Sequence, residues 1–202
     1  MTLAWVIGST MPLGWGANNG PLREELDKII EEYADSDEHL GEQVVLIMSL
    51  ASKYGASILL VRETKPGESC STCYQHSFGL VGVESVNSIL DKNWHISLGR
   101  DFIQYLVDEC LEEVSIENAK DGDHVLYFGS RIEHAGKVAQ GAVESKWGKA
   151  HLWRHGVFEV PRRYGDTVRF FRHISKEESI QAFHVYASIH GAVMENAEHG
   201  PE

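Results

Sequence analysis

Residues 122–145 read GDHVLYFGSRIEHAGKVAQGAVES. The turn Asp121-Gly122-Asp123 leads into Val125 to Phe128, a β-branched and aromatic run of strand character. His134 to Val138 and Ala142 to Ser145 are two further short runs. Gln140-Gly141 lies between them, which predicts a hairpin. Ala135 and Gly136 are small and allow another element to approach the strand closely.

Working outward, Val157 to Val160 and Thr167 to Arg172 add two expected strands. Ser175-Lys-Glu-Glu is a capping-box pattern that opens a final helix to about Val193. Upstream the period changes. Residues 21–34 place Pro21 early, with Leu22, Leu26, Ile29 and Ile30 on one stripe, so a helix is expected. Ser36 or Asp37 is positioned to cap a second helix reaching about Lys53, with Gly55 as its stop. Ala56 to Arg62 reads as a short buried strand. Helices are expected from Cys73 to about Leu80 and from Arg100 to about Glu113, the latter enclosing Cys110 beside apolar residues. Helices first and antiparallel strands later indicate an α+β fold.

Composition narrows the function classes. The 202 residues are 43% hydrophobic and 24% charged, which is ordinary globular usage. Three cysteines are too few for a disulfide framework. Lys and Arg number 18 against 30 Asp and Glu, a net charge of −12, which argues against nucleic-acid binding. Only Leu3 to Ile7 is apolar near the start, and no base precedes it. No signal peptide, no membrane span and a cytoplasmic setting are therefore expected. The charge is uneven. Residues 24–42 hold nine acids and one base, whereas residues 131–176 hold ten bases and four acids. One reading is two solvated faces. The other is a basic groove that attracts an anion or is partly covered by the N-terminal segment.

The chemistry candidates fall in two segments. Cys73 follows the turn-like Ser69-Cys70-Ser71-Thr72 and opens an expected helix, whose N-terminal partial charge favours a thiolate. His134, at the start of a strand, is the residue type suited to serve as its base. A third polar group should orient the imidazole, and Glu144, Ser145 and His155 are the candidates. The competing readings are a buried packing cysteine and a structural histidine. Trp147, Trp153 and Tyr164 read as packing residues, and Gly148, Pro161 and Gly165 as turn formers. Cys70-x-x-Cys73-x-x-His76 is a weak metal or redox pattern lacking an obvious fourth ligand, so no metal and no cofactor are expected.

The stretch 122–138 resembles the NlpC-like cysteine peptidases of the papain-like fold, in which a Gly-Asp strand precedes the strand carrying a catalytic His in an H-[AV]-G context. TCYQHSFGL at 72–80 is similar to that family's nucleophile helix. Residues 143–165, with Ser-Lys-Trp-Gly, a following His and Pro-x-x-Tyr-Gly, resemble uncharacterised bacterial members of the superfamily. The resemblance covers about residues 66–173. Thr72 stands where the family more often has Asp or Asn, and Lys146 stands near where its third catalytic residue falls.

The resemblance implies three segments: a helical extension at 1–62 packed on the core, a papain-like catalytic core at 63–174, and a C-terminal helix and tail at 175–202. It implies thiol hydrolysis of a peptide or protein amide by Cys73 and His134, with cell-wall peptides as one substrate class. The alternative is an inactive papain-like domain that binds a protein partner through its acidic N-terminal helices.

Overall fold

The computed structural model describes residues 19–33, 40–64, 71–148 and 151–193. The Leu3 to Ile7 run, the Ser36 or Asp37 cap, Cys70 and the C-terminal tail lie outside these residues. The described elements are α1 (Gly20–Glu32), α2 (Leu40–Tyr54), β1 (Leu59–Arg62), α3 (Cys73–Ser77), α4 (Glu84–Lys92), α5 (Arg100–Glu109), β2 (Glu113–Val114), β3 (His124–Phe128), β4 (Ile132–Ala139), β5 (Ala142–Lys146), β6 (Leu152–His155), β7 (Thr167–Phe171) and α6 (Lys176–Ile189). The strands form one antiparallel sheet in the order β1-β6-β5-β4-β3-β7-β2. Among the described residues, no helix is long and apolar enough to cross a membrane.

Side chains alternate across a strand, so each strand feeds two cores. On one face, Leu126, Ala135 and Phe171 pack with Phe78 at the C-terminal cap of α3, Val86 of α4, Phe102 and Leu106 of α5, and Phe183 of α6. On the other, Val125, Tyr127, Val143 and Trp153 pack with Leu22 and Leu26 of α1 and Ile47 of α2. The result is a sheet covered by helices on both faces. Residues 19–33 and 40–62 thus supply an edge strand and the helices over one face.

The central hairpin holds its expected place, with Gly136 opposite Ser145 and Ala139 opposite Ala142. Gly136 is required there, because a Cβ would lie 2.7 Å from Val143 Cγ1 and 2.9 Å from the Glu144 carbonyl oxygen.

Several expectations are corrected. Ala56 to Arg62 yields only Leu59–Arg62, and this strand is a largely exposed edge, not a buried strand. Residues 157–160 form no strand. The strand is the preceding Leu152–His155, and Glu159 instead organises the turn by accepting hydrogen bonds from the backbones of Ser57 and Gly156. The third helix ends at Ser77, and a helix at Glu84–Lys92 escaped the periodicity reading. The next helix ends at Glu109, so Cys110 is its exposed C-terminal cap and not a core residue.

The acidic and basic stretches meet. Arg162 binds Glu24 at 2.6 Å, and Arg163 binds Asp27 and Glu31 at 3.0 Å each. Arg154, Arg169 and Arg172 sit on Glu144, Glu113 and Asp123, and Arg131 approaches Glu133 at 3.9 Å. These six arginines are matched by carboxylates, so the reading of an open basic groove fails for them. The acidic face of α1, read as a partner surface, is in part spent within the chain.

Candidate active site

Thr72 caps α3. Its hydroxyl accepts from the Gln75 backbone N–H, and the Gln75 side chain accepts from the Thr72 N–H, a complete capping box. This fixes Cys73 as the first residue of the helix. The helix is anchored to β4 by Ser77, which donates to the Gly136 carbonyl at 2.7 Å, and by Tyr74, which donates to the Ile132 carbonyl at 3.1 Å. Arg100, at the start of α5, donates to the same Ile132 carbonyl and pairs with Glu133. The helix that Cys73 opens is therefore braced on both sides of the His134 position.

Cys73 is half-buried. Burial pushes its thiol up to about 11, against the pull of the backbone N–H groups of Ala135, Tyr74 and Cys73 itself. Desolvation disfavours the charged form, and here it outweighs the helix start. The expected lowering of this thiol is therefore reversed: the resting group is the protonated thiol. The Ala135 N–H contact places the sulfur against the peptide that follows His134.

His134 is 1% exposed. Burial holds it well below the ordinary imidazole value, and the nearby His155 adds to this, so it is neutral at pH 7. The Tyr164 ring lies flat on it, with centroids 3.8 Å apart and planes 5° apart, and Tyr127 is tilted against it at 5.6 Å. The Tyr164 phenol is raised first by burial and then by negative charge on Cys73. Tyr164 is thus within electrostatic reach of the sulfur while stacked on the imidazole. Its sequence reading as packing holds, but the ring it packs on is the candidate base.

The three candidates for the orienting group separate. Glu144 points to the face opposite Ser145 and accepts from Arg154 at 2.5 and 3.0 Å, so it is engaged elsewhere. Ser145 and His155 bond each other at 2.8 Å, and the Trp147 indole donates to the same serine oxygen at 3.0 Å. His155 Nδ1 faces the Gly156 carbonyl at 2.8 Å, so that nitrogen carries the proton and Nε2 accepts from Ser145. Burial lowers His155 to about 4. Meanwhile His134 Nε2 is buried without a hydrogen-bond partner. None of the three holds that nitrogen, and His155 acts on His134 through the field alone.

Sequence reasoning missed Arg100 and Gln75. Thr72-Cys-Tyr-Gln carries the same capping signature as Ser175-Lys-Glu-Glu and was legible on that ground. Trp147 and Trp153 are fully buried and stacked at 5.4 Å, as packing residues should be. Cys70 lies outside the described residues, and His76, one turn beyond Cys73, is lowered first by its own burial and then by Lys137. Among the described residues, no group of three or more His, Cys, Asp or Glu side chains is arranged to hold a metal. No family model, curated protein or solved structure matches the chain.

Proposed function

We propose that the chain is a cysteine hydrolase, a peptidase or amidase of the NlpC-like, papain-like type, with Cys73 as nucleophile and His134 as general base. The observation that carries this reading is a capped cysteine at a helix start whose sulfur meets the backbone N–H of Ala135, the residue that follows a buried, neutral His134. The substrate class is a peptide or protein amide, cell-wall peptides included, and the proposed setting is cytoplasmic.

In the proposed reaction His134 removes the thiol proton as Cys73 Sγ bonds to the substrate carbonyl carbon. The carbonyl oxygen becomes an oxyanion, and the Cys73 backbone N–H at the helix start is placed to bind it. The imidazolium then protonates the leaving nitrogen, the C–N bond breaks and a thioester remains. Water, deprotonated by His134, attacks the thioester and releases the carboxylic acid and the thiol. The first proton transfer is uphill in the resting site, because about 11 for the thiol must be set against a base lying below 6.5. Substrate binding must narrow that gap.

A second reading, an inactive domain that binds a partner, draws on the same raised thiol and on the unheld Nε2 of His134. A p-nitrophenyl ester separates the two. The hydrolase reading expects a nitrophenolate burst and an acetyl group on Cys73 by peptide mass spectrometry. His134→Ala should slow this by about a hundredfold or more, the usual contribution of a general base. Acetylation of exposed Cys110 without Cys73, or a Cys73 rate indifferent to His134→Ala, would favour the binding module.

A further inference from the structure

Arg23 is 1% exposed, an unusual place for a guanidinium. It projects from the first turn of α1 and grips one short segment of the distant chain. Its Nε donates to the Val160 carbonyl at 3.1 Å, its Nη2 to the Gly165 carbonyl at 2.6 Å, and its Nη1 to Asp166 Oδ1 at 2.6 Å. These contacts bracket Tyr164. A single-turn 3-10 helix at Arg162–Tyr164 lies between them.

Gly165 completes the geometry. Its φ is +106°, and a Cβ would lie 2.2 Å from the Phe128 carbonyl oxygen. The backbone can therefore press against the end of β3, where Asp166 donates to Phe128 at 3.1 Å. At its other end Tyr164 accepts from the Gly148 N–H at 3.2 Å. The aromatic ring is held at the backbone and at the hydroxyl, and its face lies on His134.

An imidazole is ordinarily oriented by a hydrogen bond at the nitrogen away from the nucleophile. One ring nitrogen of His134, Nε2, is buried with no such bond. The surface that fixes the plane of the ring is the Tyr164 face, and an aromatic face also favours the imidazolium formed when the base takes a proton. We propose that Arg23 is a positioning residue of the Cys73–His134 site, acting through the 160–166 turn to hold Tyr164 flat against the His134 ring. This rests on the hydrolase reading for its catalytic meaning, and on geometry alone for the clamp.

The test uses the full chain in four variants: Arg23→Met, Arg23→Lys, Tyr164→Leu and Asp166→Ala. Two quantities are read. One is the His134 ring Cε1–H resonance, assigned with His134→Gln, which senses the stacked ring without requiring turnover. The other is the rate of Cys73 acetylation by the ester. Tyr164→Leu should displace the resonance and slow acetylation by about tenfold or more, since a small misplacement of a reacting group is costly. Arg23→Met should copy both effects, and Arg23→Lys should recover part of each.

A folded Arg23→Met protein with an undisplaced His134 resonance, beside a displaced one in Tyr164→Leu, overturns the clamp. If Arg23→Met does not fold, Asp166→Ala relaxes the same grip from its exposed end, and an undisplaced resonance there overturns it equally. A resonance that follows Arg23 while no protein, wild type included, acetylates Cys73 supports the clamp and overturns the hydrolase reading. Acetylation that depends on His134 with neither quantity moved by Arg23→Met does the reverse.

Discussion

Cys73 is a residue on which two simple arguments conflict, and their sizes decide between them. A helix start favours a thiolate, but α3 has only five residues and its dipole is short. Burial opposes it and wins, with the thiol at about 11 where 9 is ordinary. At pH 8 the thiolate fraction is then about a hundredfold below that of an ordinary thiol. Alkylation of Cys73 by iodoacetamide should accordingly be slow at neutral pH and keep climbing through pH 10, followed by peptide mass spectrometry. A rate that levels off near pH 7 would contradict this. The Ser/Thr-rich turn before Cys73 disclosed the helix start, but not the Gln75 half of its cap nor the depth of the sulfur. Depth depends on Ala135, 62 positions away, and no local pattern carries it. His134 was legible from its strand and the following Ala135-Gly136. The missing hydrogen bond at its Nε2 was not, because Ser145 and His155 satisfy one another instead.

At the scale of elements, periodicity succeeded where one face is buried and failed where context decides burial. The α1 stripe and the β4–β5 hairpin alternate cleanly and were read correctly. Residues 58–61 are an unbroken apolar run, which looked like the centre of a buried strand, yet β1 pairs on one side only and leaves Leu59 and Val61 exposed. Val157 to Val160 is strand-like in composition, but Glu159 closes it into a turn through Ser57 and Gly156. Such a contact between residues a hundred positions apart is invisible to a window of neighbours. The turn at 162–165 yields a sharp expectation. Gly165→Ala adds a Cβ in contact with backbone that cannot move aside, at a φ that side chains avoid. A loss on the order of 3 kcal/mol is expected from strain and overpacking together, read from urea unfolding midpoints.

For the whole molecule, three fully buried histidines set the response to acid. Burial lowers His124 to about 3 and His155 to about 4, and it holds His134 well below the ordinary value. All three are charged in the unfolded chain below about 6.5 and remain neutral in the folded one. Their contribution is complete above pH 6.5 and is lost as the pH falls towards 4 and then 3. Each adds a slope of about 1.4 kcal/mol per pH unit in that window. Urea unfolding at pH 7.5 and 5.0 should show a steep loss of stability at the lower pH, and His155→Gln should flatten it if the variant folds. Equal stability at both pH values would show that these rings are not held neutral.

The grip of Arg23 on residues 160–166 joins parts of the chain about 140 positions apart. Contacts of such long range form late, because the intervening loop must close first. During synthesis α1 leaves the ribosome on the order of ten seconds before the turn that it binds. Cys73 is made in that interval, while the strand β4 on which its helix packs, and Tyr164 stacked on His134, follow later. The nascent chain therefore carries α1 without its clamp until residues 160–166 have emerged, and the proposed site is assembled only after that.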